Sequence, residues 1–158
     1  MYRFQHGELQ VLLVHPGGPL WARKDAGAWF VPKGEINPGE DDFAAAKREF
    51  GEETGVTPEG TFIELGEITQ KSGKKVIAWA FEGECDSTCI KSNSFEMEWP
   101  PHSGKKASFP EVDRAAFFNF DTAKEKMIAS EFEFFSRLQN ILKKPETISP
   151  SDSGQSES

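Results

Sequence analysis

Between Gly34 and Val56 the chain reads Gly34-Glu35-Ile36-Asn37-Pro38-Gly39-Glu40, then seven residues, then Arg48-Glu49-Phe50-Gly51-Glu52-Glu53-Thr54-Gly55-Val56. No other stretch narrows the folding options so far. The glycines and proline make 33–40 a polar loop. A helix from Asp41 or Asp42 to Thr54 is predicted behind it. Asp41 and Asp42 suit its N-terminal turn, where the macrodipole favours anions, and Ala44, Ala45 and Ala46 are strong helix formers. Phe43, Ala46 and Phe50 recur at i, i+3 and i+7 and give an apolar stripe, with Lys47 beside it reaching solvent. Gly55 suits the left-handed position that closes a helix. On this helix Glu49 neighbours both Glu52 and Glu53, with Cβ atoms about 5–6 Å apart. Three carboxylates so placed repel, and crowding disfavours their charged forms. One reading is a solvated acidic face. The other is a divalent cation bound by the oxygens, since magnesium prefers carboxylates and completes its shell with water and phosphate oxygens.

The same run resembles the signature of the Nudix hydrolases, G-x5-E-x7-R-E-U-x-E-E-x-G-U with U bulky and apolar. All seven fixed letters are present: Gly34, Glu40, Arg48, Glu49, Glu52, Glu53 and Gly55. A chance match at one start position is on the order of 10⁻⁸ to 10⁻⁹ at average residue usage. Phe50 departs from the pattern, being aromatic where an aliphatic is usual, and is still expected to bury. The resemblance implies an α/β fold, an α/β/α sandwich with a mixed sheet between helices, and hydrolysis of a pyrophosphate link with Mg²⁺, or Mn²⁺ as a substitute. By position, it implies Glu52 and Glu53 as principal metal ligands and Glu49 as a ligand or orienter of the attacking water. Gly34 would offer its carbonyl to the metal. Arg48 and Glu40 would hold loop and helix together, with Arg48 paired to a glutamate of the signature, and Gly39 and Gly55 would meet backbone requirements. The family's general base is either a signature glutamate or one from a later loop. Glu111, in Phe109-Pro110-Glu111-Val112-Asp113, is the candidate for the latter, against a plain surface glutamate.

The remaining pattern is consistent with that sandwich. Residues 2–5 and 9–14 read as strands about a His6-Gly7-Glu8 turn, with Leu9, Val11 and Leu13 on a buried face and Gln10, Leu12 and Val14 on a mixed one. Pro16-Gly17-Gly18-Pro19 ends the second strand, and a loop over 20–28 carries Trp21, Arg23, Lys24 and Asp25. Trp29-Phe30-Val31 is a short apolar strand. Phe62–Gln70 and Lys75–Glu84 form an antiparallel pair joined through Ser72-Gly73. Residues 85–108 read mainly as loop, with a strand near Phe95–Trp99. Phe117-Phe118 is one more short strand. A final helix is predicted over Thr122–Leu142, its stripe made by Ala123, Met127, Phe134 or Phe135, Leu138 and Ile141.

With 158 residues, one domain is expected, and folding needs no disulfide or structural metal. It is placed at 1–144, followed over 145–158 by a disordered acidic tail rich in Ser and Pro. A net charge of −8 argues against a stable nucleic-acid partner but not against a nucleotide, whose affinity local charge and metal decide. Cys85 and Cys89 lack a second pair to complete a zinc site and read as free thiols. The first residues, with Arg3 and Glu8, carry no leader-like apolar stretch, and no run has the roughly 18 apolar residues of a membrane helix. The expected location is the cytoplasm, with no membrane partner, and monomer and homodimer both stay open.

The substrate signal precedes the helix. Trp29-x-x-Pro32-Lys33-Gly34 resembles the dinucleoside-polyphosphate and diphosphoinositol branch of the family. Tyr2 is the only tyrosine, so the tyrosine that often follows the signature in dinucleoside-polyphosphate hydrolases is absent. Lys33 is a candidate phosphate contact or a solvated loop lysine. Trp29 is a candidate base-stacking residue or a core tryptophan. The expectation is a pyrophosphohydrolase of a nucleoside diphosphate linked to another moiety, with nucleoside triphosphates or dinucleoside polyphosphates ahead of inositol pyrophosphates and RNA 5′-ends. The alternative is a catalytically silent nucleotide-binding sensor. A scaffold acting through the acidic tail is a third reading.

Overall fold

A computed structural model describes residues 1–33 and 38–143. The chain runs β1 (Tyr2–Gln5), β2 (Glu8–Pro16), α1 (Asp42–Thr54), β3 (Phe62–Thr69), β4 (Lys75–Phe81), β5 (Ser94–Glu98), β6 (Lys106–Pro110), β7 (Val112–Phe118), α2 (Phe120–Lys126) and α3 (Phe132–Lys143). The tail expected over 145–158 lies outside the described residues.

β2 is the centre of a three-stranded antiparallel sheet, in the order β1-β2-β7. β3 and β4 form a second antiparallel pair. A parallel bridge from Tyr2 to Glu82 joins the end of β4 to β1, and the Gly83 N–H donates to the Tyr2 carbonyl at 2.9 Å. The strand arrangement is therefore mixed, as expected. β5 and β6 form a separate hairpin.

Alternation along β2 builds two cores. Val11 and Leu13 face a large cluster with Leu65, Val76, Phe134, Phe135 and Leu138, on the side covered by α2 and α3. Leu12 points the other way, to Phe50 of α1 and Phe81 of β4. Successive strand side chains take opposite faces, so one strand seeds both layers of the sandwich.

α1 begins where its sequence predicts. The Asp41 carboxylate accepts from the Ala44 N–H at 2.8 Å. Gly55 closes the helix at φ 77°, its N–H bonded to the Gly51 carbonyl. The buried stripe is rotated slightly from the expected one. Ala45, Phe50, Glu53 and Thr54 are buried, while Ala46 is only half-buried.

Two expectations are corrected. The C-terminal helix is broken: α2 stops at Lys126, and α3 starts at Phe132. Trp29 causes the break, because its N–H bonds the Lys126 carbonyl and its carbonyl takes the Ile128 N–H at 2.9 Å. A strand-like exchange at 127–128 replaces helical bonds. Ile141 consequently ends on an exposed face, whereas Ala123, Met127, Phe134, Phe135 and Leu138 are buried as expected. The second correction is β6, which begins in the stretch over 85–108 expected to be mainly loop. Ala107 and Phe109 alternate with exposed neighbours, a period-2 signal short enough to be hidden between Lys105-Lys106 and Pro110.

Candidate active site

Arg48 organises the surface of α1. Its Nε and Nη2 take both oxygens of Glu40, at 2.8 and 3.1 Å. Its Nη1 reaches both oxygens of Glu52 at 3.0 Å, and Nη2 approaches Glu49 at 3.4 Å. The planar guanidinium suits such forked contacts. Its bonds to Glu40 and Glu52 hold its pKa above the usual arginine value. The expected clasp between loop and helix is therefore present, with three signature glutamates paired rather than one. Gly39 sits at φ 81° in that loop. Gly34 lies outside the described residues.

Glu53 has a different setting. It is only 8% exposed, and its Oε1 accepts the Lys33 N–H at 2.8 Å. Burial pushes its carboxyl up to about 8, the Lys33 N–H opposes this, and the charges of Glu49 and Glu111 add to the rise. A buried carboxylate crowded by two others is stabilised by a cation. Among the described residues no three such groups already converge at ligand distance, because Glu52 is drawn to Arg48 and Glu53 to Lys33. The all-oxygen donor set at i, i+3 and i+4 of one helix still fits a hard divalent ion.

Glu111 lies in the bend between β6 and β7, exposed at its side chain. Its backbone is held on both sides. The Glu52 carbonyl accepts from the Asn93 N–H at 3.0 Å, the Asn93 carbonyl accepts from the Glu111 N–H at 2.8 Å, and the Glu111 carbonyl accepts from the Gly17 N–H at 2.9 Å. The end of α1 is thus linked through Asn93 to Glu111.

Lys33 is anchored as well. Its ammonium pairs with Glu131 at 2.7 Å and lies over the Phe30 ring. Trp29 is corrected as a base-stacking residue. It is 5% exposed, with His15 and Phe118 packed edge-on against its ring and the Arg114 guanidinium over it. No ring face is left for a ligand.

Sequence reasoning missed Glu131. Fully buried, it accepts from the Val31 N–H at 3.0 Å and pairs with Lys33, so it fixes the segment from Val31 to Lys33. Within a continuous helix it would read as one more surface glutamate. His15 was also missed. Buried on β2, it bonds Asp113 at 2.8 Å and the Lys24 carbonyl at 2.5 Å, and a lone His on an apolar strand gives no signal of that.

A cavity of about 610 Å³ runs beneath α1, with Glu53 and Lys33 on its wall and core side chains such as Leu12, Phe50 and Phe134 around the rest. A smaller one, of about 270 Å³, lies beside Glu111. No helix among the described residues is long and apolar enough to cross a membrane.

A bis(5′-nucleosyl)-tetraphosphatase (asymmetrical) of Rattus norvegicus is 42% identical over 60 residues, 34% of this chain and 41% of that one. An RNA pyrophosphohydrolase of Caulobacter vibrioides is 46% identical over 52 residues, 30% of each chain. The matches therefore span well under half of these curated relatives. The solved structure of a C. elegans Ap4A hydrolase binary complex superposes with a TM-score of 0.63 at 20% identity, covering 91% of this chain and 95% of that one. A model of the NUDIX domain matches residues 2–138, and with its signature helix, mixed sheet and sandwich the chain belongs to that family.

Proposed function

We propose that the chain is a divalent-metal-dependent pyrophosphohydrolase that cleaves the anhydride of a nucleoside diphosphate linked to another moiety. Nucleoside triphosphates and dinucleoside polyphosphates are the preferred substrates. The observation that carries the reading is the glutamate cluster of α1, in which Glu53 is buried on the same helix as Glu49 and Glu52 and feels the charges of Glu49 and Glu111. The aligned relatives, named for dinucleoside tetraphosphate and RNA pyrophosphate hydrolysis, support the same substrate class.

Glu49, Glu52 and Glu53 would hold the ion, Mg²⁺ or Mn²⁺, with Gly34 offering its carbonyl. A bound divalent ion polarises a phosphoryl oxygen and lowers the pKa of water. Arg48 holds Glu52 and Glu40 in place and keeps the helix face ordered. Glu111 takes the proton of the attacking water as the new P–O bond forms. The bridging P–O bond breaks, and the phosphorylated product leaves with that oxygen. Lys33, fixed by Glu131 and bonded to Glu53 through its backbone, offers its ammonium to the phosphates.

The test is product analysis on a nucleotide panel with magnesium, wild type against Glu52→Gln. The panel holds canonical and oxidised triphosphates, dinucleoside polyphosphates and nucleotide sugars. Turnover lost in the variant establishes the hydrolase, and the products name the bond cut. Tight nucleotide binding with no turnover on any member favours the sensor.

A further inference from the structure

The loop between β2 and the Trp29 bridge is held at both ends and exposed in the middle. At its start, the Gly17 N–H is bonded to the Glu111 carbonyl. Later, the buried His15 ring holds the Lys24 carbonyl, and Asp25 accepts from Trp29 Nε1 at 2.8 Å and pairs with Lys126. Between these anchors Leu20 is 61% exposed and Trp21 39% exposed. Exposed large apolar side chains on a mobile loop would mean little. Here the loop is held on both sides of them, at Gly17 by the Glu111 carbonyl and at Lys24 by the buried His15 ring.

The opposite wall is the β5–β6 hairpin. Phe95 and Met97 of β5 complete the cavity of about 270 Å³, with Glu111 at its edge. The close approach depends on two glycines. A Cβ on Gly17 would lie 2.0 Å from the Pro110 carbonyl oxygen, and one on Gly18, at φ 96°, would lie 2.9 Å from the Phe95 ring. The Lys24 ammonium lies 4.9 Å from the Trp21 ring centroid, so a cation stands at the aromatic wall. The larger cavity under α1 offers no comparable surface, because its wall is built mainly of core side chains.

We propose that the pocket between Trp21 and Phe95 takes the nucleobase of the substrate and thereby sets its specificity. This rests on the hydrolase reading, since it puts the phosphates of the same molecule toward Glu111 and the glutamates of α1. A planar base supplies what the pocket lacks, a flat partner for the Trp21 indole, and stacking of this kind accepts any base. Lys24 is placed for a phosphate or for a base carbonyl.

The experiment is calorimetric titration of the full chain in magnesium buffer with ADP and with inorganic pyrophosphate, for wild type, Trp21→Ala, Trp21→Phe and Phe95→Ala. Wild type is expected to bind ADP at least about tenfold more tightly than pyrophosphate, from the usual strength of base–aromatic stacking. Trp21→Ala brings ADP to the pyrophosphate level and leaves pyrophosphate unchanged, and Trp21→Phe keeps most of the preference. Equal binding of the two probes by wild type overturns the proposal, as does a preference that survives both alanine variants. Base-dependent binding with no turnover on the panel keeps this pocket and sinks the hydrolase. Turnover with no base dependence does the reverse.

Discussion

The two faces of β2 carry unequal layers. On the α3 side, Val11 and Leu13 meet a broad cluster of buried side chains from β1, β3, β4, α2 and α3 and their connections. On the α1 side the buried apolar cluster among the described residues is Leu12, Phe50 and Phe81, and the helix also carries Arg48 and its paired glutamates. Apolar burial is the main source of stability, so the α3 layer holds the fold. The α1 layer keeps charged groups in place at the expense of core volume. Apolar burial and charged side chains are divided between two sides of one strand.

Substitutions on the two sides should therefore move different observables. The largest change is expected for Glu111→Gln, since its carboxylate is the general base proposed for the α1 side. Turnover should fall by roughly 10²–10⁴-fold, the usual contribution of a general base, with metal affinity and unfolding midpoint nearly unchanged. Near-normal turnover would remove Glu111 from the mechanism. Phe134→Ala should do the opposite, destabilising the fold by about 3–5 kcal/mol in urea titration while kcat holds at temperatures where the chain stays folded. A loss of kcat without a loss of stability would break the division.

A third expectation concerns pH. Burial raises the Glu53 carboxyl from 4.5 to about 8, so the metal-free folded state binds a proton that the unfolded chain has lost. Its stability should fall as pH rises through that window, by up to about 1.4 kcal/mol per unit. Glu53→Gln should flatten the slope, and equal slopes in both proteins would show that Glu53 is not the group responsible. The smallest effect is expected at the helix start. Asp41→Ala removes the bond to the Ala44 N–H and should cost about 1 kcal/mol in the same urea titration. A cost well beyond that would mean that α1 supplies more of the stability than its small core suggests.

Much of the α1 side was legible in order. Capping by Asp41, closure by Gly55 and the i, i+3, i+4 spacing of Glu49, Glu52 and Glu53 depend only on neighbours within a few residues, and a helix fixes those relations. The β1–β2 and β3–β4 hairpins were legible for the same reason, since their partners are adjacent in the chain. The break at 127–128 was not, because it is imposed by Trp29, far away in sequence. β6 was hidden by lysines and a proline around a short alternation.

The sequence by itself determined the family, the metal-compatible helix and the alternation that seeds two cores, because each is a local pattern carried by side-chain type and period. Only the tertiary structure decided that Glu131, a hundred residues from Val31, is buried against the Val31–Lys33 segment and holds Lys33. It also decided that Trp29 belongs to the core while Trp21 stays exposed opposite Phe95, and that Asn93 ties Glu111 to the end of α1. Those relations come from strand pairing and helix breaks that bring distant segments together, and a residue's exposure is a property of what packs against it.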